Sequence, residues 1–204
     1  MADSAQLLAE HYQKTFEVTL DVWGQRNQTF LFLLAVVGFA TLLTFSATAS
    51  ATQPLLLDLI AKLLSIESES RQRELRASFP YGLIQTIMLM VVLYLTLVLY
   101  HRTTFIKRSY LYLGKLETEL RAALGLAADS VAFTREGQFY ESNSSSLRHA
   151  VGIAYIVMLG LLLFAFLGMR ILTDFGSGNI VTGVIDLVLA IPTTVFFVAY
   201  VRAS

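Results

Sequence analysis

Long runs of apolar residues alternate along the sequence with shorter polar segments. Each of the four apolar runs has close to the ~20 residues that an α-helix needs to cross the hydrocarbon core of a bilayer. Only the fourth run contains a charged side chain, that of Asp186. The pattern predicts an all-α integral membrane protein with four transmembrane helices, at residues 30–49, 81–100, 150–169 and 179–200.

The polar N-terminal segment, residues 1–29, has a helical periodicity of its own. Apolar side chains recur every three or four residues from Leu8 to Trp23, so they share one face of a helix. This predicts an amphipathic helix that either lies on the inner leaflet of the membrane or packs against other cytoplasmic helices of the protein. The spacing favours neither alternative.

The segment between the first two runs, residues 50–80, also carries a helical pattern. Residues 54–66 combine an apolar stripe with an opposing Asp58–Lys62 pair, which predicts an amphipathic helix at the outer face of the membrane. A re-entrant element beside a pore is the alternative, because irregular backbone survives at membrane depth only next to protein or water. The short segment 170–178 is predicted to be a second outer loop.

The helical spacing of the second run continues into the loop that follows, residues 101–149. It predicts a helical extension to about residue 126, whose apolar stripe needs a covering partner. The N-terminal helix or the same helix of a neighbouring subunit could supply that cover, so the stripe is the main indication of a homo-oligomer. A soluble cytoplasmic protein is a further candidate. The stripe consists of Ile106, Tyr110, Leu113, Leu120 and Leu124.

A short β-hairpin is predicted beyond this extension, at residues 130–140. Apolar and aromatic residues flank a turn-forming stretch that contains Gly137. An ordered loop is the alternative interpretation.

Lysine and arginine are distributed unevenly between the two sides of the predicted membrane. Ten of the fifteen lie in the N-terminal segment, the loop 101–149 and the C-terminal tail, and five lie on the opposite side. The positive-inside rule then places both termini in the cytoplasm. The first apolar run is longer than the core of a cleavable signal peptide, so we expect it to be retained as a signal anchor.

The composition argues against several classes of function. A formal net charge of zero gives no indication of nucleic-acid binding, and the absence of cysteine excludes thiolate metal sites and thiol catalysis. The sequence contains no nucleophile elbow, no zinc-protease motif, no Gly-rich phosphate loop and no acidic cluster with metal-ligand spacing. We therefore expect a non-enzymatic protein with no catalytic residues, no cofactor and no metal site.

Asp186 is the exceptional residue of the fourth run. It lies roughly 10 Å from the start of that run at 1.5 Å per residue, where a charge costs on the order of 2.5–3.5 kcal/mol. One interpretation is a hydrated pathway with Asp186 as a cation-preferring ring in an oligomer. The alternative is that Asp186 is protonated or hydrogen-bonded inside the bundle and that the small residues serve helix packing. The candidate lining residues are Asp186, Thr182, Asn179, Thr193, Gln85, Thr41, Thr44 and Thr48.

Residues 5–126 follow a recognisable plan. An amphipathic helix with tyrosine and tryptophan leads through Arg26 and Asn27 into a span, and the second span carries its long helical extension. This plan resembles that of SLATT-type small bacterial membrane proteins, although the likeness is one of architecture and has no specific motif. The resemblance implies an inner-membrane effector that forms pores in antiphage defence.

These features lead to two expectations of function. The first is an oligomeric protein of the bacterial inner membrane that forms or gates an ion-permeable path, with the lipid bilayer and further copies of the chain as its partners. The second is a membrane anchor or sensor that recruits a soluble cytoplasmic protein through its cytoplasmic helices.

Overall fold

A computed structural model describes residues 2–48, 62, 68, 81–127, 130, 132–133, 146–176 and 180–204. The regular structure in these residues consists of four α-helices, and each is long and apolar enough to cross a membrane. The prediction of an all-helical protein with four candidate spans is confirmed for this part of the chain, and it indicates a multi-pass membrane protein. The helices are α1 (Ala2–Thr48), α2 (Tyr81–Ala123), α3 (Ser146–Gly176) and α4 (Ile180–Ala203).

The N-terminal helix and the first span form one continuous helix, α1, of 47 residues. The sequence offers no reason for a break between them, because the first proline of the chain is Pro54. The change from polar to apolar residues near Phe30 therefore marks a change of surroundings and leaves the backbone helical.

Helix α2 likewise continues well beyond its apolar run and ends at Ala123. The end is a Schellman motif, in which the N–H of Leu126 donates to the carbonyl of Arg121 and the N–H of Gly125 donates to that of Ala122. Gly125 has a φ of 62°, a conformation that costs glycine little. This motif ends the helix three residues before the predicted residue 126.

Helix α3 extends to Gly176, beyond the predicted end of the third span at residue 169. Arg170 and Asp174 were expected in an outer loop, and they instead lie on the last two turns of this helix. The apolar run ends at Met169, but the helix continues because no proline follows in that segment. This difference brings two charged side chains into the helical part of the protein.

The chain divides into two compact units. Unit 1 comprises Met1–Leu31, Leu97–Val157 and Phe197–Ser204, and unit 2 comprises Phe32–Thr96 and Met158–Phe196. The core of unit 2 is apolar and draws on all four helices. Its completely or almost completely buried side chains include Leu33, Val37, Leu89, Val92, Leu159, Leu163, Phe166 and Ala190.

In unit 1 the N-terminal part of α1 contacts the extension of α2 through polar side chains. The hydroxyl of Tyr12 donates to Oε1 of the buried Glu117 at 2.9 Å. Nε2 of His11 lies 2.9 Å from the hydroxyl of Tyr112. These contacts favour the interpretation in which the N-terminal helix packs against the protein itself.

Most of the predicted partner stripe on α2 is inside unit 1. Ile106, Leu113 and Leu120 are buried, Tyr110 is half-buried, and Leu124 is exposed. The three buried residues belong to the core of the chain, so they offer no surface to a second subunit or a soluble protein. The periodicity identified an apolar face, but it could not indicate what covers the three buried positions.

Two predicted elements fall mainly outside the residues that the structure describes. These are the outer amphipathic helix at residues 54–66 and the β-hairpin at 130–140, of which only Ser130, Ala132 and Phe133 are described. No strand is present in the described ranges, so the hairpin has no structural support.

Replacing Arg102 with methionine should weaken the attachment of α2 to α1 in unit 1. Nη1 of Arg102 donates to the carbonyl oxygen of Gln25 at 2.8 Å and to the hydroxyl of Thr29. Bonds from a charged donor contribute about 1.5–3 kcal/mol. We therefore expect the free energy of unfolding in detergent to fall by roughly that amount. The matched variant Arg108→Met, at an exposed position, should change it little, and equal losses would contradict the prediction.

Candidate functional site

Asp186 is completely buried in unit 2 and accepts hydrogen bonds on both carboxylate oxygens. Its Oδ2 lies 2.5 Å from Nε of Arg170 in an ion pair, and its Oδ1 accepts from the hydroxyl of Thr86 at 2.9 Å. A buried charge is tolerated only when such partners replace its water. The pairing therefore accounts for a carboxylate in an otherwise apolar helix.

Arg170 is the centre of the surrounding network. Its Nη1 donates to Oε1 of Gln85 at 2.6 Å and lies 2.8 Å from Oδ1 of Asp174. Its Nη2 donates to the carbonyl oxygen of Gly82 at 3.2 Å. A guanidinium carries five N–H donors in a planar fork, so one arginine can bind several partners at once.

Gln85 extends the network to the first helix. Its Nε2 donates to the hydroxyl of Thr44 at 3.2 Å, while that hydroxyl donates to the carbonyl oxygen of Ala40 at 2.8 Å. Hydrogen bonds and ion pairs thus connect side chains from all four helices within unit 2. We call this set the polar cluster: Thr44, Gln85, Thr86, Arg170, Asp174 and Asp186.

Local helix geometry brings the charged members of the polar cluster together. Asp174 follows Arg170 by four residues, so the two side chains share a face of α3. Asp186 lies six residues after the first residue of α4, and Arg170 lies six residues before the last residue of α3. Both positions are therefore about 9 Å from a helix end at 1.5 Å per residue.

Gly183 allows α4 to approach α3 at the same level. A Cβ atom at this position would lie 3.4 Å from Cβ of Asp174 and 3.5 Å from Cζ of Phe175. Small residues commonly allow such close approach between membrane helices. An alanine would be at ordinary contact distance, whereas a branched side chain would have to displace Asp174.

The structure brings together only part of the predicted pore lining. Asp186, Gln85 and Thr44 belong to the polar cluster, but two other threonines donate to carbonyls of their own helix: Thr41 to that of Val37 and Thr193 to that of Leu189. Thr182 is half-buried and is not part of the cluster. Asn179 and the side chain of Thr48 lie outside the described residues.

The sequence analysis missed Arg170, Asp174 and Thr86. Arg170 follows the last apolar residue of the third run, so hydropathy places it in a loop. Two signals could have identified it. The spacing of Arg170 and Asp174 continues the helix, and a carboxylate inside a span needs a cationic partner at a similar depth.

The geometry limits what the polar cluster can do chemically. Asp186 is paired and shielded, so in this conformation it faces no water-filled path within the chain. Among the described residues, no group of three or more histidine, cysteine, aspartate or glutamate side chains could hold a metal ion. The cluster is a buried ion pair with hydrogen-bonded neighbours.

Removing the single cation should be more damaging than removing either anion. Arg170→Gln leaves two buried carboxylates without a counter-ion and should cost about 3–5 kcal/mol of unfolding free energy. Asp186→Asn and Asp174→Asn should cost less, because each leaves one guanidinium facing one carboxylate. Denaturation in detergent would measure the three losses beside the exposed control Arg202→Gln. An Arg170 variant as stable as this control would show that the pair does not hold the helices together.

Comparison of the chain with protein-family models, with curated proteins and with solved structures finds no match. The function therefore has to follow from the arrangement of the chain's own residues, and above all from the polar cluster.

Proposed function

We propose that the chain is an oligomeric, non-enzymatic protein of the bacterial inner membrane that forms or gates an ion-permeable path. The observation that carries this proposal is the polar cluster, which joins side chains of four apolar helices around a buried ion pair. A plain membrane anchor needs no such feature, because van der Waals contacts are enough to pack helices in lipid. Ionisable groups inside spans usually belong to a pathway or a switch.

Two carboxylates on different helices share Arg170, and this arrangement suggests a gating mechanism. Asp174 is on the same helix as Arg170, whereas Asp186 is on α4. If α4 moves away, Arg170 keeps Asp174 and Asp186 loses its counter-ion. Asp186 then needs water, and a hydrated, negatively charged surface favours cations. The packed arrangement is the closed form in this mechanism.

The proposed assembly has the lipid bilayer and further copies of the chain as its partners. Large apolar side chains are exposed along α3 and α4, among them Leu161, Leu172 and Val181. In a membrane protein such residues contact lipid or a neighbouring subunit. The likeness of residues 5–126 to SLATT-type proteins supports a membrane-perturbing role in antiphage defence.

A membrane anchor or sensor that recruits a soluble cytoplasmic protein is the second candidate function. Leu111 and Tyr112 are exposed on α2 beyond its apolar run, and Leu124 is exposed directly after the end of that helix. Exposed apolar side chains in a water-facing region are typical of interaction sites. In this alternative the polar cluster serves packing alone.

The proposed orientation has both termini in the cytoplasm and can be tested with single cysteines, since the natural chain has none. Cysteines introduced by Thr118→Cys and Ser204→Cys, both at exposed positions, should react with a membrane-impermeant thiol reagent only after the cells are opened. Ser68→Cys, exposed and between the first two spans, should react in intact cells. The reverse pattern of labelling would contradict the orientation.

Weakening the Arg170–Asp186 pair should raise ion flux through purified protein in liposomes. A loss of about 1.4 kcal/mol from the closed form would increase the open population roughly tenfold when that population is small. We expect Asp186→Asn to leak monovalent ions faster than the natural protein and with less preference for cations. The control Glu119→Gln makes the same chemical change at an exposed position on α2.

Two outcomes of the flux measurement would contradict the gating proposal. One is a conducting protein whose rate and ion preference are the same in the Asp186 variant. The other is the absence of flux from every folded variant, including Arg170→Gln, in which the pair cannot form. The second outcome would favour the anchor or sensor.

A further inference from the structure

Positive charge is concentrated in the part of unit 1 that borders the apolar runs. Residues 22–31 of α1 and 97–112 of α2 contain lysine and arginine but no aspartate or glutamate. The cationic side chains are those of Arg26, Arg102, Lys107 and Arg108. Lys107 and Arg108 are exposed, whereas Arg26 and Arg102 are half-buried. Two of these charges are therefore partly withdrawn from water.

Hydrogen bonds place the two half-buried arginines at one level of unit 1. Nη1 of Arg102 donates to the carbonyl oxygen of Gln25 at 2.8 Å and to the hydroxyl of Thr29. Arg26 directly follows Gln25 and lies three residues before Thr29. One turn of α1 therefore holds both Arg26 and the contacts of Arg102, so two positive charges from different helices occur at the same level.

Neither guanidinium has a carboxylate partner among the described residues. Both acceptors of Arg102 are uncharged, and Arg26 donates only a long hydrogen bond, at 3.5 Å, to Oδ1 of Asn27. Nε of Arg26 is buried without a hydrogen-bond partner, which is the situation in which a bound ion is expected. Asp21, five residues before Arg26, accepts from the side-chain amide of Gln25 instead. In the described part of unit 1 these two cations lack a counter-ion.

Aromatic side chains at the same level are typical of a membrane interface. Trp23 is exposed three residues before Arg26, and Phe30 begins the apolar run of α1. The ring centroid of Phe30 lies 5.9 Å from that of Tyr155 on α3, which is also exposed. Tryptophan and tyrosine are enriched at the depth of the lipid headgroups. This indicates that the two arginines lie where the phosphates of lipids occur.

We propose that Arg26 and Arg102 bind the phosphate of an anionic phospholipid headgroup at the surface of unit 1. A guanidinium presents its N–H donors in a fork that matches two oxygens of a phosphate. No described residue accepts from Nη2 of either arginine, so these donors are available to a ligand. Basic pockets between membrane helices on the cytoplasmic side bind such headgroups.

The bound lipid would strengthen the attachment of α2 to α1. A phosphate that contacts both guanidiniums replaces the repulsion between two cations by attraction of each to a shared anion. The exposed Lys107 and Arg108 add attraction to an anionic leaflet without fixing the position of the lipid. The site rests on the proposed cytoplasmic side of this end of the chain, and it does not require conduction.

Trp23 is the single tryptophan of the chain, so its fluorescence reports on the lipids beside this site. The purified full chain would be placed in phosphatidylcholine vesicles that contain increasing fractions of phosphatidylglycerol with acyl chains brominated close to the headgroup. Brominated phosphatidylcholine supplies the reference series. We expect the anionic lipid to quench Trp23 at a lower fraction than the neutral one. Arg26→Gln should lower the relative binding constant about fivefold, since one arginine near an anionic surface contributes about that factor.

Two further variants complete the measurement. Arg102→Gln should reduce the preference for the anionic lipid in the same way, and it serves as the second variant if the first does not fold. The control Lys14→Gln removes one positive charge at an exposed position of α1, about three turns before Arg26. It should leave the preference unchanged.

Four results would overturn the proposal. The natural protein could be quenched equally by both lipids, the preference could persist in a folded Arg26 or Arg102 variant, or Lys14→Gln could reduce it as much as Arg26→Gln does. Inorganic phosphate, added at constant ionic strength, could also abolish the preference, which would assign the arginines to a free anion. A protein without flux but with the lipid preference would refute the proposed path and leave the lipid site intact.

Discussion

The ion pair between Arg170 and Asp186 is the constraint on which the arrangement of unit 2 depends. Apolar helices can rotate or slide against one another at modest cost, because one leucine or valine contact resembles the next. A buried charge has no such freedom, since any position that separates it from its counter-ion leaves it unsolvated. The 2.5 Å contact therefore fixes the rotation and register of α3 and α4, and the bonds to Gln85 and Thr86 extend that constraint to α2.

Stability alone does not require a buried ion pair between these helices. Buried ion pairs can often be replaced by apolar residues of similar size without loss of stability. The ion pair instead distinguishes one packing of the helices from the others, because in most other packings the two charges would be separated. The same property makes it suitable for a switch, because movement of a single helix changes the partner of a charge, with consequences for both hydration and packing.

Much of the fold could be predicted from the sequence, because the length of an apolar run is a local property. The site was only partly predictable for the same reason. Asp186 stands out against its apolar neighbours, but Arg170 follows the last apolar residue of its run, so its burial is visible only once α3 and α4 are side by side. The stripe of Ile106, Leu113 and Leu120 shows the same limit. Periodicity identifies the apolar face of a helix, but it does not identify the element that packs against that face.

The second carboxylate changes the cost of separating the helices. In a simple buried pair, movement of α4 would leave both charges unpaired, which would cost several kcal/mol. Here Arg170 retains Asp174 one turn away on the same helix, so only Asp186 must find a new environment. Water that enters beside α4 could provide it. In the proposed gating mechanism this arrangement would lower the barrier to opening, and Asp186 would be the charge that faces the path. An Asp186 ring would then be a feature of the open form, consistent with its complete burial in the packed one.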